Sequence, residues 1–190
     1  MRSDSGTGTV SWSAGQALAL YAQTALTSTP GSMPRPRWLV LAETPAAALQ
    51  VETTGADNAF NTSNAFNPFD GEAGKLLDNM LRAVQLHKTG SVLLAPLVRR
   101  IGHDAAPQTS LDASLASLVQ AVQPDVVLVM GRLAAQALLQ SSEPFGKLRG
   151  RLHSLHGRPT VVTHDAAYLL RSPLEKARVW EDLCLAVSVL

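Results

Sequence analysis

Residues 159–183 read PTVVTHDAAYLLRSPLEKARVWEDL. The run Thr160-Val161-Val162-Thr163 is β-branched throughout, the composition of a buried strand. It stops at two ionisable residues, His164 and Asp165, and an apolar segment from Ala166 to Leu170 follows. Ser172-Pro173 then opens a helix on sequence grounds: Ser suits an N-cap, Pro the first turn, and Glu175 stands three residues past the Ser. Open α/β sheets place ligands where a strand ends and hands over to a helix. His164 and Asp165 are therefore the first candidate site residues.

Working outward, the same alternation recurs upstream. Asp125-Val126-Val127-Leu128-Val129-Met130 is a strand followed by Gly131 and a helix from Arg132 to Leu139. Ser110 starts a helix carrying Leu111, Leu115, Leu118, Val119 and Val122, and Pro124 stops it. Ser91 to Ala95 reads as a strand ended by Pro96, with Leu97 to Asp104 as connecting structure. Glu72 to Lys88 is an amphipathic helix with Leu76, Leu77, Met80, Leu81 and Val84 on one face. Trp38 to Ala42 is the first strand, ending at Glu43-Thr44-Pro45. Strand and helix alternate four times, which predicts α/β/α layers around a four-stranded parallel sheet with right-handed crossovers.

The N-terminal part differs. Residues 1–10 are rich in Ser, Gly and Thr, Ser13 to Thr27 is loosely helical, and Ser28 to Arg37 carries Pro30, Pro34 and Pro36. The chain thus divides into a flexible segment, residues 1–35, with a short helix and a Pro-rich linker, and a domain from 36 to 190. The helix either packs on that domain or serves as a tethered binding peptide. Between Ala46 and Asn67, Asn58, Asn61, Asn64 and Asn67 recur every third residue among small side chains. That composition favours turns over a packed element.

Composition narrows the classes. A 190-residue chain with 46% apolar and 16% charged residues forms a sizeable core without staples. The net charge of +1 makes no global case for nucleic acid, although residues 75–190 are mildly basic and residues 1–74 mildly acidic. One cysteine, Cys184, excludes an intramolecular disulfide framework and any multi-cysteine metal site, and its place in an apolar helical pattern predicts burial. No apolar run reaches membrane-spanning length, so a cytosolic, soluble protein is expected. His153 and His156 stand in a Gly-flanked segment, where histidines are more often exposed than ligating. No phosphate-cradling Gly loop or metal-spaced His pair occurs.

Several fragments, in order, resemble the uracil-DNA glycosylase superfamily and its family 4 members above all. They are Ala42-Glu43-Thr44-Pro45, Pro68-Phe69-Asp70-Gly71-Glu72-Ala73-Gly74-Lys75-Leu76-Leu77, Val126 to Leu139, Leu148-Arg149-Gly150-Arg151 and Thr163 to Leu183. Such enzymes flip a base out of the stack, grip its edge and stabilise the leaving anion. By resemblance, Glu43 matches a first-motif acid and Phe69 the aromatic that stacks on uracil. Pro96 falls near the base-reading Asn, which Ala95-Pro96 replaces. Asp165 takes the place of the catalytic His, with His164 one residue earlier. A carboxylate beside a developing uracil anion repels it, whereas a histidine donates to it. The family 4 cysteine ligands are absent, so no iron–sulfur cluster and no other cofactor is expected.

The resemblance therefore implies a degenerate member, leaning away from an enzyme and toward a binding or assembly role in DNA replication or repair. The psi subunit of bacterial DNA polymerase III holoenzyme is similar in this respect, joining a glycosylase-like fold to a partner-binding N-terminal peptide. The alternative is a divergent glycosylase that hydrolyses the N-glycosidic bond of uracil or another deaminated base, with Glu43, His164 and Asp165 as its candidates. DNA and a protein partner reached through residues 1–35 are the expected partners. Lys147, Arg149 and Arg151 are candidate phosphate contacts, with a solvated surface as the plain reading.

Overall fold

A computed structural model of the chain describes residues 10–15, 17–21, 36–44, 68–89, 91–101 and 111–190. The elements follow in order: β1 (Val10–Ala14), β2 (Leu18–Ala19), β3 (Arg37–Thr44), α1 (Gly71–Ala83), α2 (Leu86–Thr89), β4 (Ser91–Ile101), α3 (Leu111–Val122) and β5 (Val126–Met130). Then come α4 (Arg132–Leu138), α5 (Phe145–Leu148), β6 (Leu152–Leu155), β7 (Arg158–Thr163), α6 (Ala166–Arg171) and α7 (Lys176–Val187). The Asn-rich loop, the linker prolines Pro30 and Pro34, and residues 1–9 lie outside the described residues.

The strands form one mixed sheet in the order β1-β4-β3-β5-β7-β6, with β2 also paired to β4. Its centre, β4-β3-β5-β7, is parallel. Each of these strands carries side chains that must be covered on both faces, and helices cover both. Trp38 and Val40 point to one side, with α1, α2, α6 and α7, while Leu39 and Leu41 point to the other, with α3, α4 and α5. All five residues of β5 are buried, and each such Val or Leu contributes about 1.5–3 kcal/mol. At the strand starts, the Arg37 N–H donates to Asp125 Oδ2 at 2.7 Å and its guanidinium to the Val122 carbonyl at 3.0 Å. Those bonds fix β3 beside β5 in register.

The sheet is larger than four parallel strands. Antiparallel β1 and β2 extend it past β4, and antiparallel β6 extends it past β7. Val10–Ala14 and Leu18–Ala19 are thus strands where a helix was expected over 13–27. The alternation in Val10-Ser11-Trp12-Ser13-Ala14 has a period of two, and Trp12 and Ala14 pack against the core beneath α3 and α4. Residues 22–27 of the expected helix lie outside the described residues.

β4 continues through Pro96 to Ile101 rather than ending before it. Proline lacks the ladder N–H, but Pro96 falls opposite the break between β1 and β2, where its carbonyl accepts from Gly15 N at 2.8 Å. A Cβ on Gly15 would meet the Pro96 ring at 2.8 Å. The proline is tolerated because the ladder is already interrupted there.

The helix expected over 72–88 divides into α1 and α2 at Gln85, whose φ is 60°. Ser172 does not cap with its side chain. A single 3₁₀ turn, Pro173–Glu175, precedes α7 instead. Cys184 is exposed rather than buried, because the buried face of α7 is Val179, Asp182, Leu183 and Ala186. Among the described residues no helix is long and apolar enough to cross a membrane.

Candidate functional site

The parallel strands β3 and β5 are neighbours, yet the chain leaves β3 toward β4 on one side and leaves β5 toward β7 on the other. Such a switch point opens a crevice beyond the carboxyl ends of the strands. A cleft of about 760 Å³ lies there, lined among others by Glu43, Arg132, Phe145, His164, Asp165 and Tyr168. Three of these follow directly from strand ends: Glu43 from β3, and His164 with Asp165 from β7.

Glu43 is held by the turn between β5 and α4. Gly131 has φ 111°, and a Cβ there would lie 3.2 Å from Glu43 Oε2 and 3.3 Å from Glu43 Cβ. Glycine is required both for that backbone and for that approach. Gly131 N–H donates to the Thr163 carbonyl at 3.0 Å, which ties the turn to β7. The Glu43 carboxylate accepts the Ala134 N–H in the first turn of α4. Burial pushes the Glu43 carboxyl above its ordinary range and Asp165 adds to this, while the Ala134 N–H, Arg99 and Arg132 oppose it.

Asp165 is the N-cap of α6. Its Oδ1 accepts from Tyr168 N–H at 2.7 Å, the bond that satisfies a first-turn donor. His164 stands 3.6 Å from Glu175 with its ring stacked on Tyr168, centroids 4.4 Å apart and planes at 11°. Phe145 approaches the imidazole at 4.7 Å. Burial and then Arg149 lower the His164 pKa below the ordinary imidazole value, against Glu175, Asp182 and Asp165.

The three expected phosphate contacts have different fates. Arg149 is committed to a buried ion pair: it donates to Asp182 Oδ2 at 2.9 and 3.1 Å, and its Nη2 also donates to the Arg178 carbonyl. Asp182, fully buried, further accepts from Thr163 Oγ1 at 2.8 Å and Gly150 N at 3.1 Å. Burial pushes its carboxyl up, and these donors oppose the rise. Arg151 pairs with Glu143. Lys147 is exposed in α5, outside the cleft lining.

Phe69 is not part of the cleft lining. It packs on Tyr21, centroids 5.8 Å apart, beside α1. Pro96 is buried in β4 under Gly15 and does not line the cleft either. His153 bonds the Leu148 carbonyl at 2.6 Å, and His156 faces Asp112 at 3.5 Å. Among the described residues no group of His, Cys, Asp and Glu is placed to hold a metal.

Sequence reasoning missed Asp182, Tyr168, Phe145, Arg132 and Arg171. Asp182 was detectable in principle, since it shares a helical face with Val179, Leu183 and Ala186. A charge on an apolar stripe signals a buried partner. Arg132 and Arg171 carry no such mark, because only the tertiary fold brings them to one rim. Neither forms an ion pair among the described residues, and both line the cleft.

Compared with known protein families, the chain matches the model described as the uracil DNA glycosylase superfamily over residues 30–184. The match takes in β3 through most of α7, and so every element that frames the cleft.

Proposed function

The chain belongs to the uracil DNA glycosylase superfamily, and on that premise we propose that it binds DNA at this cleft without excising uracil. Its role is then binding or assembly in DNA replication or repair, and within the superfamily its motifs resemble those of the family 4 members. One observation carries the reading. Asp165, at the position of the catalytic histidine, is an acceptor-only carboxylate whose Oδ1 is already engaged by Tyr168 N–H. It has no proton to donate to a departing uracil anion, and its charge repels that anion. His164 does not replace it, because its ring is enclosed by Tyr168 and Phe145 and turned to Glu175. At the motif position of the base-reading Asn the chain carries Pro96, which has no side-chain donor and lies outside the cleft lining.

Binding is supported by Arg132 and Arg171 on the rim, exposed cations suited to phosphates. The protein partner in this reading is reached through the N-terminal segment, residues 1–35, of which Val10–Ala14 and Leu18–Ala19 pair with β4.

A second reading, a divergent glycosylase acting on another deaminated base, is favoured by Glu43 alone: a cleft carboxyl with a raised pKa suits a general base. Fluorescence anisotropy with labelled single- and double-stranded oligonucleotides tests the binding role. Arg132→Ala with Arg171→Ala should weaken binding across all sequences and reduce the salt slope by about one for each phosphate no longer neutralised. Affinity and slope equal to those of the unaltered chain would refute the cleft as the DNA site.

A further inference from the structure

His164 is more than a wall of the cleft. Its ring is stacked on Tyr168 of α6 and meets Phe145 of α5 at a 53° tilt, and its side chain is 14% exposed. The carboxylate that faces it, Glu175, lies in the 3₁₀ turn and is shared: Oε2 stands 3.6 Å from His164 Nε2 and 3.2 Å from Arg178 Nη1. Arg178 lines the same cleft. Charged groups face the imidazole from every element around it. They are Arg149 at the end of α5, Asp165 at the start of α6, Glu175 before α7, and Asp182 within α7. Arg149 is already neutralised by Asp182 at 2.9 Å.

We propose that His164 and Glu175 form a proton switch, in which protonation of His164 draws Glu175 away from Arg178 and primes the cleft for a polyanion. The inference rests on the cleft being the DNA-binding surface. Two changes act in the same direction when the imidazole takes up a proton. A positive charge appears inside the cleft, and Arg178, 61% exposed, exchanges its carboxylate partner for phosphate. Both favour an anionic ligand, and by linkage a bound polyanion makes His164 a stronger base.

The sign follows. In the free chain burial and Arg149 hold the His164 pKa below the ordinary imidazole value. A bound phosphodiester raises that value, so affinity grows as pH falls through the interval between the bound and free values and levels off below it. A rise of one pKa unit on binding corresponds to about tenfold in affinity.

The test is anisotropy with a rhodamine-labelled oligothymidylate, whose base and dye do not titrate between pH 8 and pH 5.5. The unaltered chain should bind several-fold more tightly at pH 5.5 than at pH 8, and His164→Gln should flatten that ratio. The same titration followed by NMR of the His164 ring checks the partner without any ligand: Glu175→Gln should lower its pKa. A pH ratio that persists in His164→Gln, or a ring pKa unmoved by Glu175→Gln, would overturn the switch while leaving DNA binding intact. No binding at either pH would overturn the DNA-binding reading, and the switch with it.

Discussion

Arg149 and Asp182, separated by 33 residues in sequence, meet at 2.9 Å with side chains 11% and 0% exposed. The pair joins the end of α5 to α7, and Thr163 and Gly150 supply the remaining donors to the carboxylate. A buried pair adds little over a well-packed apolar pair, but removing one partner strands the other charge. Asp182→Ala should therefore cost about 3–5 kcal/mol, lowering Tm on the order of 10 °C. Thermal melts of Asp182→Ala, Arg149→Met and the double variant check this. The double variant should lose less than the sum of the singles.

Gly131 stands against Glu43 in a conformation that side chains rarely adopt. Gly131→Ala should cost about 1–3 kcal/mol from backbone strain, and the close approach to Glu43 adds to it. Pairing the change with Glu43→Ala should recover the part due to the carboxylate oxygen and leave the backbone part and the contact with the Cβ of residue 43. Full recovery by Glu43→Ala would mean that φ imposes no cost.

Glu43 makes a pH-dependent prediction. Its folded pKa is raised above the ordinary carboxylate value, so the folded chain holds this proton more tightly than the unfolded chain. The associated stability is complete below the unfolded pKa and is lost as pH rises through the folded one. Glu43→Gln keeps an acceptor for the Ala134 N–H and removes the charge. Its Tm relative to the unaltered chain should therefore climb between pH 4 and pH 7. A gap that narrows over that range would contradict the assignment.

Asp165 should behave as a helix cap. Asp165→Ala should cost about 1 kcal/mol, or about 2–4 °C in Tm for a chain of this size, and Asp165→Ser should recover most of it. Hydrogen exchange should rise first at Tyr168 N–H, which the alanine leaves without its acceptor.

The central strands were legible because burial on both faces demands unbroken β-branched and aliphatic runs, as in Val126–Met130 and Thr160–Thr163. The end of Thr160–Thr163 located His164 and Asp165, and Glu43, which lines the same cleft, was reached through its motif resemblance. The edge strands were not legible. Val10–Ala14 is short and interleaved with serine, and Leu18–Ala19 is two residues long, so pairing with β4 rather than propensity decides their form. Pro96 read as a strand end, since nothing local announces the interruption between β1 and β2 opposite it. Arg149 read as a phosphate contact because the charge that neutralises it lies on another helix. Phe69 read as a stacking ring by motif, and its packing on Tyr21 depends on a strand that the sequence pattern did not mark.

DNA binding without base excision is tested most directly by base release at protein excess, over long incubation, on single- and double-stranded oligonucleotides carrying uracil, hypoxanthine or xanthine. Binding is followed in the same samples. Stable binding with no abasic product from any of the three is the expected result. Release of a base that disappears in Asp165→Ala or Glu43→Gln would contradict it and make those carboxyls catalytic groups of an active glycosylase.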